Sequence, residues 1–280
     1  MMLKGILHLF LTKIIGRLAN SKIWIIKSFL IKAFIYLYKP NLEESLFSDN
    51  VSFPTYNSFF TRTLKKEVRP IEKSISSIIS PVDGEIIDFG HLTEGNLIQA
   101  KKYNYPLHEL IGDYSKKLNY SNSYFITIYL APTDYHRIHC PYEGKIISTQ
   151  HLGKNLFSVN QRSQEKIPNL YIKNERAVMK IENNYLSYFL ISVGASIVGS
   201  VVPFWFQEAH NSRKKLIHEW NKGPKDNQKA ILKGQEIAHF KMGSTVILLF
   251  EDASRLDLNS LTDNKSVKFG SKLIELRNLN

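Results

Sequence analysis

The chain has 280 residues and a formal net charge of +12, enough length for one large domain with an extension. Seven cations and no Asp or Glu lie within residues 1–39, interleaved with Ile, Leu, Phe and Trp, which excludes a nucleic-acid partner and favours an anionic membrane surface. Cys140 is the only cysteine, which excludes an internal disulfide and fits a reducing compartment.

Two helices are predicted in the basic N-terminal stretch, over residues 2–18 and 22–38, with Pro40 ending the second. No uncharged run there approaches the roughly 18–20 residues that a membrane-spanning helix needs. No small-residue cleavage site follows the short apolar stretch, as it would in a signal peptide. We therefore expect residues 1–40 to dock on an anionic phospholipid membrane without crossing it. The alternative is a helical pair packed on the protein body with its lysines in water.

The sequence beyond residue 73 is typical of β-structure. Three segments alternate or are rich in β-branched residues, which predicts strands: Phe125–Leu130, parts of Leu186–Val193, and Val246–Phe250. Ser80–Ile87 also resembles Cys140–Ile147, because each has an acidic residue and a glycine before an apolar run. The predicted fold class is therefore α+β, with N-terminal membrane-associating helices followed by a β-rich barrel or sandwich catalytic domain over residues 41–280.

Three motifs carry groups that can do chemistry. Ser244 stands directly before an apolar run, Asp83 lies at a Pro-x-Asp-Gly turn, and His136 and His139 are three residues apart. A hydroxyl, an imidazole and a carboxylate are the parts of a proton relay that activates a serine. Each has an ordinary alternative, since Asp-Gly turns are common and the histidines could bind backbone groups. Zinc is a further alternative for the two histidines, although no third ligand stands at a familiar spacing.

Gly243 gives Ser244 a different target from an external substrate. Glycine lacks a Cβ and can adopt strained backbone angles that present its carbonyl to the next residue's hydroxyl. If His139 removes the proton of Ser244, the oxygen can attack the Gly243 carbonyl and convert the amide to an ester. Elimination and hydrolysis would then leave a pyruvoyl group, an electron sink of the kind that cofactors supply.

From about Tyr38 onward the chain resembles the bacterial phosphatidylserine decarboxylases of the membrane-associated, pyruvoyl-dependent type. The matching motifs are Arg69-Pro70-Ile71, Pro81-Val82-Asp83-Gly84, Gln99-Ala100-Lys101, Asp134-Tyr135-His136-Arg137-Ile138-His139, Phe157-Ser158-Val159-Asn160, Asn174-Glu175-Arg176, Val193 to Ser200, Lys233-Gly234-Gln235-Glu236 and Gly243-Ser244-Thr245. Each motif is weak alone, but their order and spacing are specific. Ala238 and Met242 stand where the family tends to have Gly and Leu, and these differences could slow processing.

The resemblance implies a role for each candidate residue. Ser244 would be the nucleophile of self-cleavage and afterwards the pyruvoyl group. His139 would be the general base, Asp83 would orient it, and His136 would lie beside the substrate and assist decarboxylation. The precursor would split between Gly243 and Ser244. The resulting chains, 1–243 and 244–280, would stay associated as a heterodimer, and further dimerisation is left open.

The activity implied by the resemblance is conversion of phosphatidylserine to phosphatidylethanolamine through a Schiff base with the pyruvoyl group. The enzyme would be peripheral to the cell membrane on its cytoplasmic side. Two other classes remain open. A serine hydrolase would use the same three side chains on external substrates, but the sequence around Ser244 lacks a Gly-x-Ser-x-Gly elbow. A non-enzymatic lipid-binding module would use only the basic helices and the β-rich body.

Overall fold

The computed structural model describes residues 14–49, 52–92, 96–99, 103–112, 114, 122–152, 155–195, 201–204, 216–219, 229–241 and 244–277. Within these ranges, no helix combines the length and the apolar character needed to span a bilayer. Residues 14–19 are helical, whereas the rest of the first predicted helix lies outside the described residues.

The helices are few and short. They are α1 (Trp24–Tyr38), α2 (Tyr56–Phe60), α3 (Leu107–Ile111), α4 (Gln161–Lys166) and α5 (Leu170–Lys173), with 3₁₀ turns at Lys66–Val68, Ala253–Arg255 and Leu258–Ser260. Helix α1 confirms the second predicted helix, and it ends where Lys39 adopts a left-handed φ of 48° ahead of Pro40. Ile31 and Phe34 of α1 are buried in one cluster with aromatic residues of α2.

Strands make up most of the remaining described structure. They are β1 (Ser77–Ile79), β2 (Gly84–His91), β3 (Asn96–Gln99), β4 (Tyr103–Pro106), β5 (Tyr124–Leu130), β6 (Arg137–His139), β7 (Gly144–Leu152), β8 (Arg176–Glu182), β9 (Ser187–Gly194), β10 (Val201–Pro203), β11 (Leu216–Glu219), β12 (Lys229–Ile231), β13 (Glu236–Phe240), β14 (Ser244–Phe250), β15 (Leu256–Asp257), β16 (Ser266–Val267) and β17 (Lys272–Leu276). The α+β, strand-rich class predicted from the sequence is confirmed.

The main sheet has nine antiparallel strands in the order β11-β7-β8-β9-β14-β5-β2-β16, with β12 also paired to β7. One face packs on two three-stranded sheets, β1-β17-β15 and β10-β13-β6, and the other face packs on α3 and α5. The outer strands β11 and β16 do not pair with each other in the described part of the chain. The sheet is therefore open, and the barrel alternative gives way to a layered, sandwich-like arrangement.

Strand β14 lies at the centre of the main sheet and is buried along its whole length. Val246 and Leu248 face the small sheets, whereas Ile247 and Leu249 face the helices. A strand covered on both faces needs apolar residues at consecutive positions, which explains the unbroken apolar run after Ser244.

The two similar segments fold alike, as the sequence predicts. Gly84 begins β2 and Gly144 begins β7. A Cβ on Gly84 would collide with the backbone of Tyr129, and a Cβ on Gly144 would lie 2.7 Å from the carbonyl oxygen of Glu182. Each glycine is therefore required by the close approach of the neighbouring strand.

Candidate active site

Ser244 is the first residue of β14 and lies between Leu130 at the end of β5 and Gly194 at the end of β9. Its side chain is fully buried, and its Oγ has no hydrogen-bond partner among the residues that the structure describes. A buried polar atom without a partner costs about 1–3 kcal/mol, and such atoms are candidates for a catalytic role. Gly243, the other half of the predicted cleavage site, lies outside the described residues.

Two connections bring His136 to the end of the main sheet where Ser244 begins. Leu130 pairs with Ser244, and the chain reaches His136 through the short turn that follows β5. From the other side, the amide of Phe240 at the end of β13 donates to the carbonyl oxygen of His136 at 2.9 Å. The strand β13 comes shortly before Ser244 in the chain. His136 is therefore held by the turn that follows β5, which pairs with the serine, and by β13, which precedes the serine.

His136 is neutral, and one of its nitrogens is unpartnered. Its Nδ1 lies 2.8 Å from the carbonyl oxygen of Asp134, so Nδ1 carries the proton and Nε2 keeps a lone pair. That Nε2 is buried and has no hydrogen-bond partner in the described part of the chain. The ring packs on Phe60 with 4.2 Å between centroids, and burial lowers the pKa of His136 to about 3.

His139 is held by a carbonyl group on one side and a hydroxyl group on the other. Its Nδ1 lies 2.9 Å from the carbonyl oxygen of Gly234, and its Nε2 lies 3.1 Å from the hydroxyl of Tyr135. Because a carbonyl only accepts, Nδ1 is the donor, Tyr135 donates to Nε2, and Nε2 is the basic atom. Phe269 stacks on the ring at 3.6 Å between centroids, and burial lowers the pKa of His139 to about 4.

Asp83 is buried, with an exposed fraction of 1%, and its carboxylate is bound by Arg69. The Nη2 atom of Arg69 donates at 2.6 Å and its Nε at 3.0 Å, while the amide of Phe269 donates at 2.8 Å. Burial lowers the pKa of Arg69, but its bonds to Asp83 and Glu44 outweigh that effect and raise the pKa above its usual value. The carboxylate is thus held in position by the guanidinium of Arg69 and the amide of Phe269.

Asp83 and His139 meet through Phe269 rather than through a hydrogen bond between their side chains. The carboxylate of Asp83 accepts from the amide of Phe269, and the ring of the same residue covers the imidazole. The partners of the imidazole are Gly234 and Tyr135. Asp83 can therefore influence His139 by its charge and by holding the stacked ring in place.

Two arginines fasten α2 to the segment that carries the histidines. The Nη2 atom of Arg62 donates to the carbonyl oxygen of Thr133 at 3.0 Å, and the Nε atom of Arg137 donates to that of Thr61 at 2.9 Å. Arg137 also forms an ion pair with Glu236 at 2.8 Å. The C-terminal end of α2, which forms one wall of the site, is therefore fastened to the segment that follows β5, the strand that pairs with Ser244.

The sequence prediction named His136, His139, Asp83 and Ser244, and the structure gathers these four at one end of the main sheet. It did not identify the partners that fix them, which are Arg69, Tyr135, Gly234 and Phe269. Arg69 and Tyr135 stand in two of the motifs that carry the family resemblance. Their polar or charged side chains in those motifs could have marked them as partners of the site. In the described part of the chain, no group of three or more His, Cys, Asp or Glu side chains could hold a metal ion.

Comparison with known proteins shows the family to which the chain belongs. The family model for phosphatidylserine decarboxylase matches residues 56–275. A phosphatidylserine decarboxylase proenzyme of Baumannia cicadellinicola is 40% identical over 251 residues, which cover 89% of this chain and 86% of the relative. The proenzyme of Vibrio parahaemolyticus is 38% identical over 253 residues, covering 89% and 88%. That of Escherichia coli is 36% identical over 269 residues, covering 95% and 83%. The chain belongs to the phosphatidylserine decarboxylase family of enzymes.

Proposed function

We propose that this chain is a proenzyme that cleaves itself between Gly243 and Ser244 and then converts phosphatidylserine to phosphatidylethanolamine. The observation that carries the proposal is the buried hydroxyl of Ser244, which has no hydrogen-bond partner among the described residues and begins a central strand at the same end of the sheet as two buried histidines whose pKa values burial lowers. The names of the relatives support it, because they are called proenzymes of this decarboxylase.

A pyruvoyl group at position 244 fits the surroundings of the serine. The Ser244 side chain is enclosed, its oxygen makes no hydrogen bond that conversion would break, and its backbone is pinned between β5 and β9. When formed, the group supplies a carbonyl that captures the amine of the lipid headgroup and an electron sink for the loss of CO2. The pairing of β14 on both sides also explains how the chain 244–280 stays bound to the chain 1–243 after cleavage.

His139 is the base for self-cleavage in this proposal. Tyr135 donates its hydroxyl proton to the neutral Nε2 of His139, to which it is already hydrogen-bonded, and takes up the proton of the Ser244 hydroxyl in its place. The serine oxygen bonds to the carbonyl carbon of Gly243, and the amide bond breaks as its nitrogen takes up a proton, which leaves an ester. Asp83 contributes by holding Phe269 against the imidazole.

His136 moves a proton during decarboxylation in this proposal. Its unpartnered Nε2 is suited to accept a proton from the ammonium of the headgroup and to return it to the carbon that loses CO2. The Phe60 ring beside the imidazole keeps water away from that carbon. An apolar wall also favours the loss of a charged carboxylate as a neutral gas.

Helix α1 supplies the membrane contact in this proposal. Apolar side chains are exposed on it or just before it: Ile23, Trp24, Ile25, Phe29, Tyr36 and Leu37. Lys22, Lys32 and Lys39 are also exposed, and each lysine near an anionic surface contributes about 1 kcal/mol. We therefore place the enzyme on the cytoplasmic side of the cell membrane, as a peripheral protein whose substrate headgroup lies at the same surface.

Intact mass spectrometry of the purified protein tests the proposal. We expect two fragments, the smaller one beginning at position 244 with a pyruvoyl group instead of an amine. Ser244→Ala should remain one chain and release no CO2 from phosphatidylserine. An unbroken wild-type chain that still releases CO2 would overturn the proposal.

Two further readouts on the same samples separate the other classes. A serine hydrolase would remain unbroken and react at Ser244 with a fluorophosphonate probe. A lipid-binding module without enzymatic activity would bind anionic liposomes equally well as wild type and Ser244→Ala, with no CO2 released by either.

A further inference from the structure

Arg62 is a buried cation with open hydrogen-bond donors. Its exposed fraction is 4%, and within the described part of the chain its one hydrogen bond runs from Nη2 to the carbonyl oxygen of Thr133. The Nε and Nη1 atoms are buried and have no hydrogen-bond partner among the described residues. Leaving donors of a buried charged group unfilled is costly, so a retained arginine of this kind calls for a ligand.

No carboxylate forms an ion pair with Arg62 among the described residues. Asp83 and Glu44 are bonded to Arg69 instead, and the Oδ2 atom of Asp134 accepts from the amide of Ala131. Burial lowers the pKa of Arg62, and the surrounding carboxylates oppose that effect only at a distance. The ring of Phe59 lies against the guanidinium, 5.8 Å from ring centroid to Cζ, but no anion of the described residues contacts the charge directly.

Arg62 lies at the wall of the candidate active site. Its bond to Thr133 reaches the turn between Leu130, which pairs with Ser244, and His136. Two residues before it, Phe60 packs on the ring of His136. The site thus combines three sets of buried atoms without partners: Nε and Nη1 of Arg62, Nε2 of His136 and Oγ of Ser244.

We propose that Arg62 binds the phosphodiester group of the lipid headgroup, an inference that rests on the proposed function. The headgroup of phosphatidylserine offers two anions, a carboxylate and a phosphodiester. A cation bound to the carboxylate would stabilise the substrate more than the transition state, in which that charge is being lost, and would slow the reaction. The phosphodiester keeps its charge throughout, so binding it anchors the substrate at no cost to the chemical step.

The test compares processed wild-type enzyme with Arg62→Gln. Three quantities are measured: kcat and KM for a short-chain phosphatidylserine, and the Kd of short-chain phosphatidylethanolamine by calorimetry. The product retains the phosphodiester but lacks the carboxylate. We expect Arg62→Gln to raise KM and the product Kd by a similar factor, on the order of 10 to 100, because an interaction present in both substrate and transition state is lost. The value of kcat should stay within about threefold.

Arg137→Gln is the matched control. Arg137 also fastens α2 to the histidine segment through a backbone carbonyl, but its charge is paired with Glu236. We expect this variant to raise KM and the product Kd at least about fivefold less than Arg62→Gln does, because it removes a similar tie but no open charge. Arg62→Lys keeps a charge at the site but lacks the paired guanidinium donors, so it is expected to recover part of the affinity, which provides a readout if Arg62→Gln does not fold.

Each contrary result has a distinct meaning. A raised KM with an unchanged product Kd would assign Arg62 to the carboxylate and overturn the proposal. Unchanged KM and Kd in Arg62→Gln would reduce Arg62 to a structural tie. Losses of affinity in Arg137→Gln as large as those in Arg62→Gln would do the same. If Arg62→Gln does not fold, an Arg62→Lys variant that folds and has the same KM and product Kd as the wild-type enzyme would count against the proposal, because Lys lacks the paired donors. Self-cleavage and CO2 release by the wild type are measured first, so their absence would refute the proposed function and not this inference.

Discussion

The turn before β2 and the turn before β7 are built by the same hydrogen bonds, and they pair with each other. The amide of Ile79 donates to the carbonyl of Pro141 at 3.0 Å, and the amide of His139 donates to that of Pro81 at 2.9 Å. These four residues occupy equivalent places in the two similar sequences. The internal resemblance is therefore a local two-fold arrangement in which each copy completes the backbone bonding of the other.

The correspondence extends to the segments that flank the turns. The amide of Gly270 donates to Ser80, as the amide of Gly234 donates to Cys140. Both glycines have a positive φ, 87° and 78°, and both lie against the Pro70-Ile71 segment. Each turn, together with the segment that flanks it, is called a half of this two-fold arrangement. The two halves therefore share a backbone conformation that extends well beyond the eight residues that resemble each other in sequence.

The side chains make the halves different. Asp83 in the first turn is buried and bound to Arg69, whereas Glu143 in the second is partly exposed. The strand residue His139 has Ile79 as its counterpart in the other half. A repeated backbone arrangement thus supplies the geometry, and the buried acid stands in one copy whereas the imidazole stands in the other.

Replacing Asp83 and Glu143, the acids of the two turns, should give the largest difference between the two halves. We expect Asp83→Asn to lower the free energy of unfolding by about 3–5 kcal/mol, because it leaves the buried Arg69 charge without its full partner. Glu143→Gln should change it by no more than about 0.5 kcal/mol, since that side chain is partly exposed. Urea denaturation measures both. Self-cleavage should fail in Asp83→Asn and proceed normally in Glu143→Gln. Normal self-cleavage of Asp83→Asn would show that Phe269 holds His139 without the carboxylate.

Acid should weaken the half that carries the histidines. Burial lowers the pKa of His136 to about 3 and that of His139 to about 4, against about 6.5 in the unfolded chain. Between these values the unfolded chain binds protons that the folded chain does not, so the stability is complete above pH 6.5 and is lost as the pH falls toward 4. The pair should lose about 3 kcal/mol between pH 8 and 5.5.

Urea denaturation across that pH range provides the measurement. The variant His139→Asn should lose about half of the pH dependence, because only His136 then contributes. The counterpart Ile79 does not titrate, so no matching effect arises from the other half. The same pH dependence in His139→Asn as in the wild type would contradict the assignment.

The sequence was sufficient where a local pattern carries the structure. The apolar run after Ser244 predicts a strand covered on both faces, and the glycines at 84 and 144 predict turns that lead into strands. The bonds that fix the site join residues far apart in the chain, as Gly234 and His139 do. Neither periodicity nor spacing encodes which carbonyl or ring a side chain meets across sheets, so these partners came only from the structure.

The smallest expected difference lies between the two glycines that correspond across the halves. An alanine at either position must adopt a positive φ, which costs about 1–2 kcal/mol. At Gly270 the added Cβ would also lie 2.8 Å from the carbonyl oxygen of Pro70, which is backbone, whereas at Gly234 it meets the flexible tip of Ile71. We therefore expect Gly270→Ala to be less stable than Gly234→Ala by about 1 kcal/mol in urea denaturation. Equal losses of stability in the two variants would mean that the Pro70-Ile71 segment shifts as easily away from Gly270 as from Gly234.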